Sequence, residues 1–382
     1  MKNFLPSQYK RDSALPINHN YLTQQFADFR NIFEKLQDVV LNNDFTLGSA
    51  VDDFENRFAN YHKSRFGIGV GSGTDALFLT LKALGIGPGD EVITAPFTFF
   101  ATVGAIATTG ATPVFVDVKL DGFNIDVNQI ERVITSRTKA IVPIHWAGRI
   151  CEVEDLKVIA KKHNLFVVED ACHAVAATRN GNFAGHFADA ACFSFHPLKN
   201  LNVWGDGGIV ITNSESLAQR IRLIRNHGLI SRDECEEFAY NSRLDTIQAV
   251  IADHLFDKLE EITDARISNA KFLDKRLSKI AEINLHTRPR NLKEVFHLYS
   301  FICEDRDNLL KFLRSNGIDA KIHYPIPLHL QRAAAFLNHK YGDFPNAELI
   351  TEKVLSLPVH EFIDEGHLDY MACKIEEYYG DK

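Results

Sequence analysis

A chain of 382 residues with 45% hydrophobic and 24% charged side chains and a mean hydropathy of -0.14 is too long for one ordinary core. It reads as a soluble globular protein of two domains. Its formal charge of -8, spread along the sequence, argues against a nucleic-acid or anionic-membrane partner but leaves room for a phosphorylated ligand held by local groups.

Residues 21 to 42 carry apolar positions at helical spacing and predict an amphipathic helix ahead of the main fold. Seven apolar, strand-length runs follow: Gly67 to Gly71, Val92 to Ala95, Pro113 to Val118, Ala140 to His145, Leu165 to Glu169, Ala190 to Phe195 and Ile209 to Thr212. Helical patterns separate most of them, at Thr74 to Leu84, Thr98 to Thr108, Val127 to Ile134, Glu154 to His163 and Ser216 to Arg225. Strands apolar on both faces that alternate with helices predict an α/β domain, a largely parallel sheet covered on both sides. Between Asp170 and Asp189 the rhythm breaks, and an Asn180-Gly181 pair predicts a small hairpin. A polar loop runs from Gly228 to Tyr240, and a long helical pattern from Leu244 to about Ile280. Shorter strands at Phe296 to Cys303 and Ala320 to Tyr324 then suggest a smaller C-terminal α+β domain, so the expected division is 1–250 and 251–382. The six cysteines (Cys151, Cys172, Cys192, Cys235, Cys303 and Cys373) form no CxxC pair, which reads as reduced thiols in a cytoplasmic protein without a metal site. Met1 to Tyr9 shows no apolar targeting segment, and no apolar run is long enough to span a bilayer.

The chemistry gathers where strands end. Lys199 lies in irregular backbone after Pro197, between two strands that read as buried. Desolvation lowers the pKa of a lysine, and the neutral amine can form a Schiff base with a carbonyl; a plain surface lysine is the alternative. Gly71-Ser72-Gly73-Thr74 follows one strand and opens a helix, whose first-turn N–H groups favour a phosphate, or simply make a tight turn. The glycines never give G-x-G-x-x-G, and the Gly-Lys-Ser/Thr of a P-loop is absent. Asp170 ends a strand at the edge where α/β proteins bind ligands, placed either to hold a proton on a ring nitrogen or to cap the next turn. His173 could reach the same ligand, and Phe99 could stack on an aromatic ring; a structural histidine and core packing are the competing readings.

Together these phrases, with Gly85 to Ile93, Val168 to His173, Ser194 to Asn200, Gly205 to Gly208, Asn241 to Ala249, Tyr324 to Gln331 and Leu355 to Pro358, resemble the DegT/DnrJ/EryC1/StrS sugar aminotransferases. These are pyridoxal-phosphate (PLP) enzymes of fold type I. The resemblance implies that Lys199 is the Schiff-base lysine, that Asp170 pairs with the pyridinium nitrogen, that Phe99 stacks on the ring and that His173 lies near its hydroxyl. It implies that Gly73, Thr74 and Ser194 hold the phosphate, and that Asn241 reaches the phosphate of a second subunit in a homodimer. L-Glutamate would give its amino group to a keto or aldehydo sugar, most often nucleotide-linked, in cell-surface polysaccharide synthesis. The 3-dehydratase branch of the family carries histidine at the lysine position, so Lys199 favours transamination. An oxidised 3-deoxy-octulosonate sugar acid is the alternative acceptor, with Arg149 or the Arg288-Pro289-Arg290 stretch receiving a carboxylate or a diphosphate. A PLP-binding sensor without turnover is the alternative of another class, and an NAD-dependent dehydrogenase is disfavoured by the missing fingerprint.

Overall fold

The computed structural model describes residues 15–380; Met1 to Tyr9 lie outside them. Helices α1 (Leu22–Gln25), α2 (Phe29–Leu41) and α3 (Ser49–Tyr61) come first. The sheet-forming part runs β1 (Phe66–Val70), α4 (Gly73–Ala83), β2 (Glu91–Thr94), α5 (Phe100–Thr108), β3 (Thr112–Phe115), α6 (Val127–Ile130), β4 (Thr138–Ile141), α7 (Val153–His163) and β5 (Phe166–Asp170). It continues through a hairpin, β6 (Thr178–Arg179) and β7 (Asn182–Phe183), to β8 (Ala190–Ser194), β9 (Gly208–Thr212) and α8 (Glu215–Ile224). The rest comprises α9 (Thr246–Phe256), α10 (Leu259–Leu277), β10 (Ile283–Asn284), β11 (Leu292–Lys293), β12 (Tyr299–Cys303), α11 (Arg306–Ser315), α12 (Pro345–Lys353), β13 (Val354–Leu357) and α13 (Glu365–Gly380).

The seven-stranded sheet has the order β1-β9-β8-β5-β4-β2-β3. Every neighbouring pair is parallel except the two made by β9, so the anticipated mostly parallel sheet is present. Side chains alternate between its faces. Ala190, Cys192 and Val210 join one apolar cluster, while Ala191, Phe193, Ile209 and Ile211 join another. That two-sided burial explains why these strands read as continuous apolar runs. A third cluster gathers Ile17 with residues from α10, β12, α11, β13 and α13 around the small antiparallel sheet β10-β12-β13. The Asn180-Gly181 turn has positive φ at both residues, 52° and 76°, and closes the expected hairpin, which pairs with β11.

Four expectations are corrected. The helix over 21–42 breaks between Gln25 and Phe29, and the one over 244–280 breaks at Asp257 and Lys258. One interaction marks both breaks: Lys258 Nζ donates to Asp28 Oδ2 at 2.7 Å, and His254 Nε2 lies 3.0 Å from the same oxygen. Residues 49–61, to which the sequence reading gave no element, form α3, burying Val51, Phe54 and Phe58 along one stripe. The strand expected at Ala320 to Tyr324 is a single bridge between Lys321 and Ser356; Pro325 and Pro327 follow, without N–H groups to extend a ladder.

Candidate active site

β1 and β8 share a direction with β2, β4 and β5, so their carboxyl ends meet at one edge, where α/β sheets bind ligands. At this edge Ser72 caps α4, its Oγ accepting from Asp75 N at 3.0 Å. The remaining first-turn amides, Gly73 and Thr74 among them, are free to meet an anion. A Cβ on Gly73 would sit 2.6 Å from Ser194 Cβ and 3.0 Å from Cys172 Sγ; one on Gly208 would sit 2.4 Å from Ser72 O. Only glycine permits these approaches, which bring Gly73 and Ser194 into one cradle with Thr74 exposed at its rim. Gly71 N donates to Ser242 Oγ at 3.1 Å, and Gly69 N to Glu55 Oε1 at 2.7 Å, which fixes the strand leading into the cradle.

Asp170 lies across the cradle at the end of β5, 6% exposed. Thr102 Oγ1 donates to its Oδ2 at 2.6 Å, and Cys172 N to its Oδ1 at 3.2 Å. Among the described residues no cation forms an ion pair with this buried carboxylate. A buried carboxylate without a counter-ion is costly, so the site is built to receive a cation, such as a protonated ring nitrogen. The cradle and this carboxylate together fit a group with an anionic phosphate at one end and a basic ring at the other.

Beyond β8 the chain turns through His196, Pro197 and Leu198, the last in the left-handed region at φ 75°. Lys199 N donates to His196 O at 3.0 Å. Desolvation pushes the Lys199 ammonium below its ordinary value, against the opposing pull of Cys172 and Asp170. Other buried groups surround it. Burial holds His173 well below its usual range, assisted by repulsion from Lys199 and His323; His297 behaves alike, and His323 falls to about 3. These imidazoles stay neutral. The His173 and His297 rings lie 4.3 Å apart, because His297 N and Val295 N donate to the turn carbonyls of Ala147 and Gly148 at 2.9 and 3.1 Å.

Phe99 begins α5 and is 48% exposed, its ring 5.8 Å from that of Tyr324; Trp146 stands 5.7 Å from Tyr324 and 5.8 Å from His173. Asn241 is exposed, one residue from the Ser242 that holds Gly71. Two nominated arginines are already engaged. Arg149 Nη1 donates to Thr287 O at 2.7 Å, with Glu294 at 3.8 Å and Asp121 at 3.6 Å, and Arg288 spans Asp274 and Glu294. Neither is free for a substrate anion; of the three only Arg290 is exposed. A hollow of about 530 Å³, lined by Thr138, Lys139, Phe166 and Asp189, lies at the amino ends of β4 and β5, the edge opposite Lys199. Thr102, Ser242, Trp146, Tyr324, His297 and His323 were not anticipated. Thr102 stands one helical turn after Thr98 beside the nominated Phe99, and Ser242 and Tyr324 fall inside the family phrases Asn241 to Ala249 and Tyr324 to Gln331, but Trp146, His297 and His323 come from distant segments with no local signature.

Comparison with known proteins agrees with this geometry. The DegT/DnrJ/EryC1/StrS aminotransferase family matches residues 28–376. The chain is 42% identical over 362 residues to a "Pleiotropic regulatory protein" of Geobacillus stearothermophilus, covering 94% of this chain and 97% of that one. It is 39% identical to a UDP-N-acetyl-3-dehydro-alpha-D-glucosamine 3-aminotransferase of Acidithiobacillus ferrooxidans, covering 91% and 96%. Among solved structures, S. venezuelae DesV in complex with a ketimine intermediate superposes with a TM-score of 0.92 at 34% identity, covering 96% of this chain and 98% of that one. The chain belongs to the DegT/DnrJ/EryC1/StrS aminotransferase family and is a PLP-dependent aminotransferase of fold type I.

Proposed function

We propose that this enzyme moves the amino group of L-glutamate onto the carbonyl carbon of a nucleotide-linked keto sugar, with Lys199 and Asp170 as its catalytic residues. The observation that carries the reading is the buried Asp170 carboxylate, oriented by Thr102 and without an ion-pair partner among the described residues, at the same strand-end edge as a desolvated lysine. PLP, when bound, supplies an electron sink that stabilises negative charge on the carbon losing its proton. The residues do the rest. Gly73, Thr74 and Ser194 anchor the phosphate, Asp170 keeps the ring nitrogen protonated, and Phe99 and His173 border the ring. Lys199, its basicity reduced by desolvation, would be the base that takes the proton from the donor's α-carbon and holds it for return, and the same amine would serve the acceptor half.

The acceptor class draws support from relatives named as UDP- and dTDP-sugar transaminases. A homodimer, with Asn241 of one subunit serving the other's phosphate, draws support from the exposed loop around it, where Phe238 is fully exposed and Ile230 is 60% exposed. We place the enzyme in the cytoplasm, consistent with six free cysteines, and divide it near residue 250, consistent with the apolar cluster around β10-β12-β13, which apart from Ile17 is built from residues beyond 265. Among the described residues no helix is long and apolar enough to cross a membrane. The test is the visible absorbance of the holoenzyme, first with L-glutamate and then with keto sugars with and without a nucleotide. Bleaching by glutamate and restoration by a nucleotide-linked sugar supports the reading. Restoration only by a nucleotide-free sugar acid replaces the acceptor, and a band unmoved by glutamate favours a PLP-binding regulatory or sensor protein without turnover; the Geobacillus relative is named as a pleiotropic regulatory protein.

A further inference from the structure

The turn that carries Lys199 is fixed from behind by residues outside the active site. The Tyr21 hydroxyl, from the segment before α1, lies 3.3 Å from Leu198 O and 3.4 Å from Lys199 O. Asn202 Nδ2 donates to Lys199 O at 2.8 Å and to Gln25 Oε1 at 2.7 Å. These two carbonyls belong to the peptide planes on either side of the Lys199 Cα. Pinning both planes fixes the direction of the Cα–Cβ bond while leaving the four-carbon stem free to swing.

The donors are themselves held. Arg266 Nη2 donates to the Tyr21 oxygen at 2.6 Å, and Arg266 Nη1 to Phe296 O at 3.1 Å. Having accepted from the guanidinium, the phenol has its own proton available for the two carbonyls. Burial raises the Tyr21 pKa further, so the donor stays protonated. Glu361 lies 3.6 Å from Arg266 and accepts from Gln25 Nε2 at 2.9 Å, closing the ring of contacts. Tyr21 is 3% exposed, Arg266 2% and Asn202 fully buried. The turn needs such support, because Leu198 adopts a left-handed conformation that disfavours any residue with a Cβ.

We propose that Tyr21, held by Arg266 and assisted by Asn202, is a positioning residue for Lys199, setting the arc through which its amine moves between the cofactor carbon and the substrate proton. The proposal rests on Lys199 being the lysine linked to PLP. Borohydride reduction of the holoenzyme followed by peptide mass mapping tests that premise alone; a cofactor label on another residue removes both readings. The proposal itself is tested by Tyr21→Phe holoenzyme. It is expected to retain one PLP per chain and its melting temperature within a few degrees. Its single-turnover rate with L-glutamate should fall roughly 10- to 100-fold at nearly unchanged KM, because small misplacements of a reacting group are costly. The midpoint of the absorbance pH titration should also move. A folded Tyr21→Phe with the parental rate and titration overturns the proposal. If that variant does not fold, Asn202→Ala, which removes the other donor to the Lys199 carbonyl, is read the same way. If neither folds, hydrogen exchange in the parental holoenzyme decides: slow exchange over 198–203 supports a pinned turn, and fast exchange overturns it.

Discussion

At the scale of single residues, neighbouring groups at the site have separable tasks. Lys199→Ala should abolish the PLP–lysine absorbance band and turnover while leaving the fold, since the amine forms no hydrogen bond among the described residues; a parental amination rate would remove Lys199 from the mechanism. Asp170→Asn keeps the shape that Thr102 and Cys172 surround but removes the charge. The donor half-reaction should slow by about two to three orders of magnitude, read in stopped-flow absorbance. Gly73→Ala is a steric test. Its Cβ would lie 2.6 Å from Ser194 Cβ, an overpacking of about 2 kcal/mol. PLP affinity, measured by fluorescence titration, should drop roughly 30-fold. The gathering of Lys199, Asp170 and the glycines at one edge of the sheet could be read from the sequence because strand ends and helix starts place them. Thr102 and His297 could not, since each acts through a partner distant in the chain.

At the scale of elements, burial decides what local pattern leaves open. α3 ends at Tyr61, and the next residue, His62, is 2% exposed, its ring stacked 4.3 Å from Phe58 and its Nδ1 2.9 Å from Phe58 O. Desolvation lowers its pKa to about 4. The unfolded chain, with an ordinary histidine near 6.5, therefore binds the proton first as pH falls. His62 gives its full contribution above about pH 6.5 and loses it as pH drops towards 4, about 3 kcal/mol in all. His62→Gln should flatten the fall in melting temperature between pH 7 and 4.5 relative to the parent; an equally steep fall would show that His62 does not control acid stability. Apart from α3, the corrected expectations share a cause. The α1–α2 and α9–α10 breaks are marked by the contact of Asp28 with Lys258, and the Lys321 bridge depends on Ser356, so each depends on residues remote in sequence. The seven strands were readable because burial on both faces leaves an unbroken apolar run.

At the scale of the whole molecule, the site is assembled from nearly the full chain: Tyr21 near the start, Lys199 in the middle, and His297, His323 and Tyr324 beyond residue 290. No single segment could function alone, and this is why the α/β architecture was evident from rhythm while the far wall of the site was not. If Asn241 serves a second subunit, two inactive variants should rescue each other. Mixing Lys199→Ala with Asn241→Ala after reversible dissociation places both lesions in one site of each mixed dimer and leaves the other intact. Activity should recover to about a quarter of the parental value at equal mixing, and no recovery would assign Asn241 to its own subunit. The central claim is that the protein turns over its amino donor through Lys199 and is not merely a PLP-binding protein. The most direct measurement is the 2-oxoglutarate released from L-glutamate by holoenzyme without an acceptor. One equivalent per chain, lost in Lys199→Ala, is the result this account predicts; no 2-oxoglutarate from the parental protein, or an equal yield from Lys199→Ala, would contradict it.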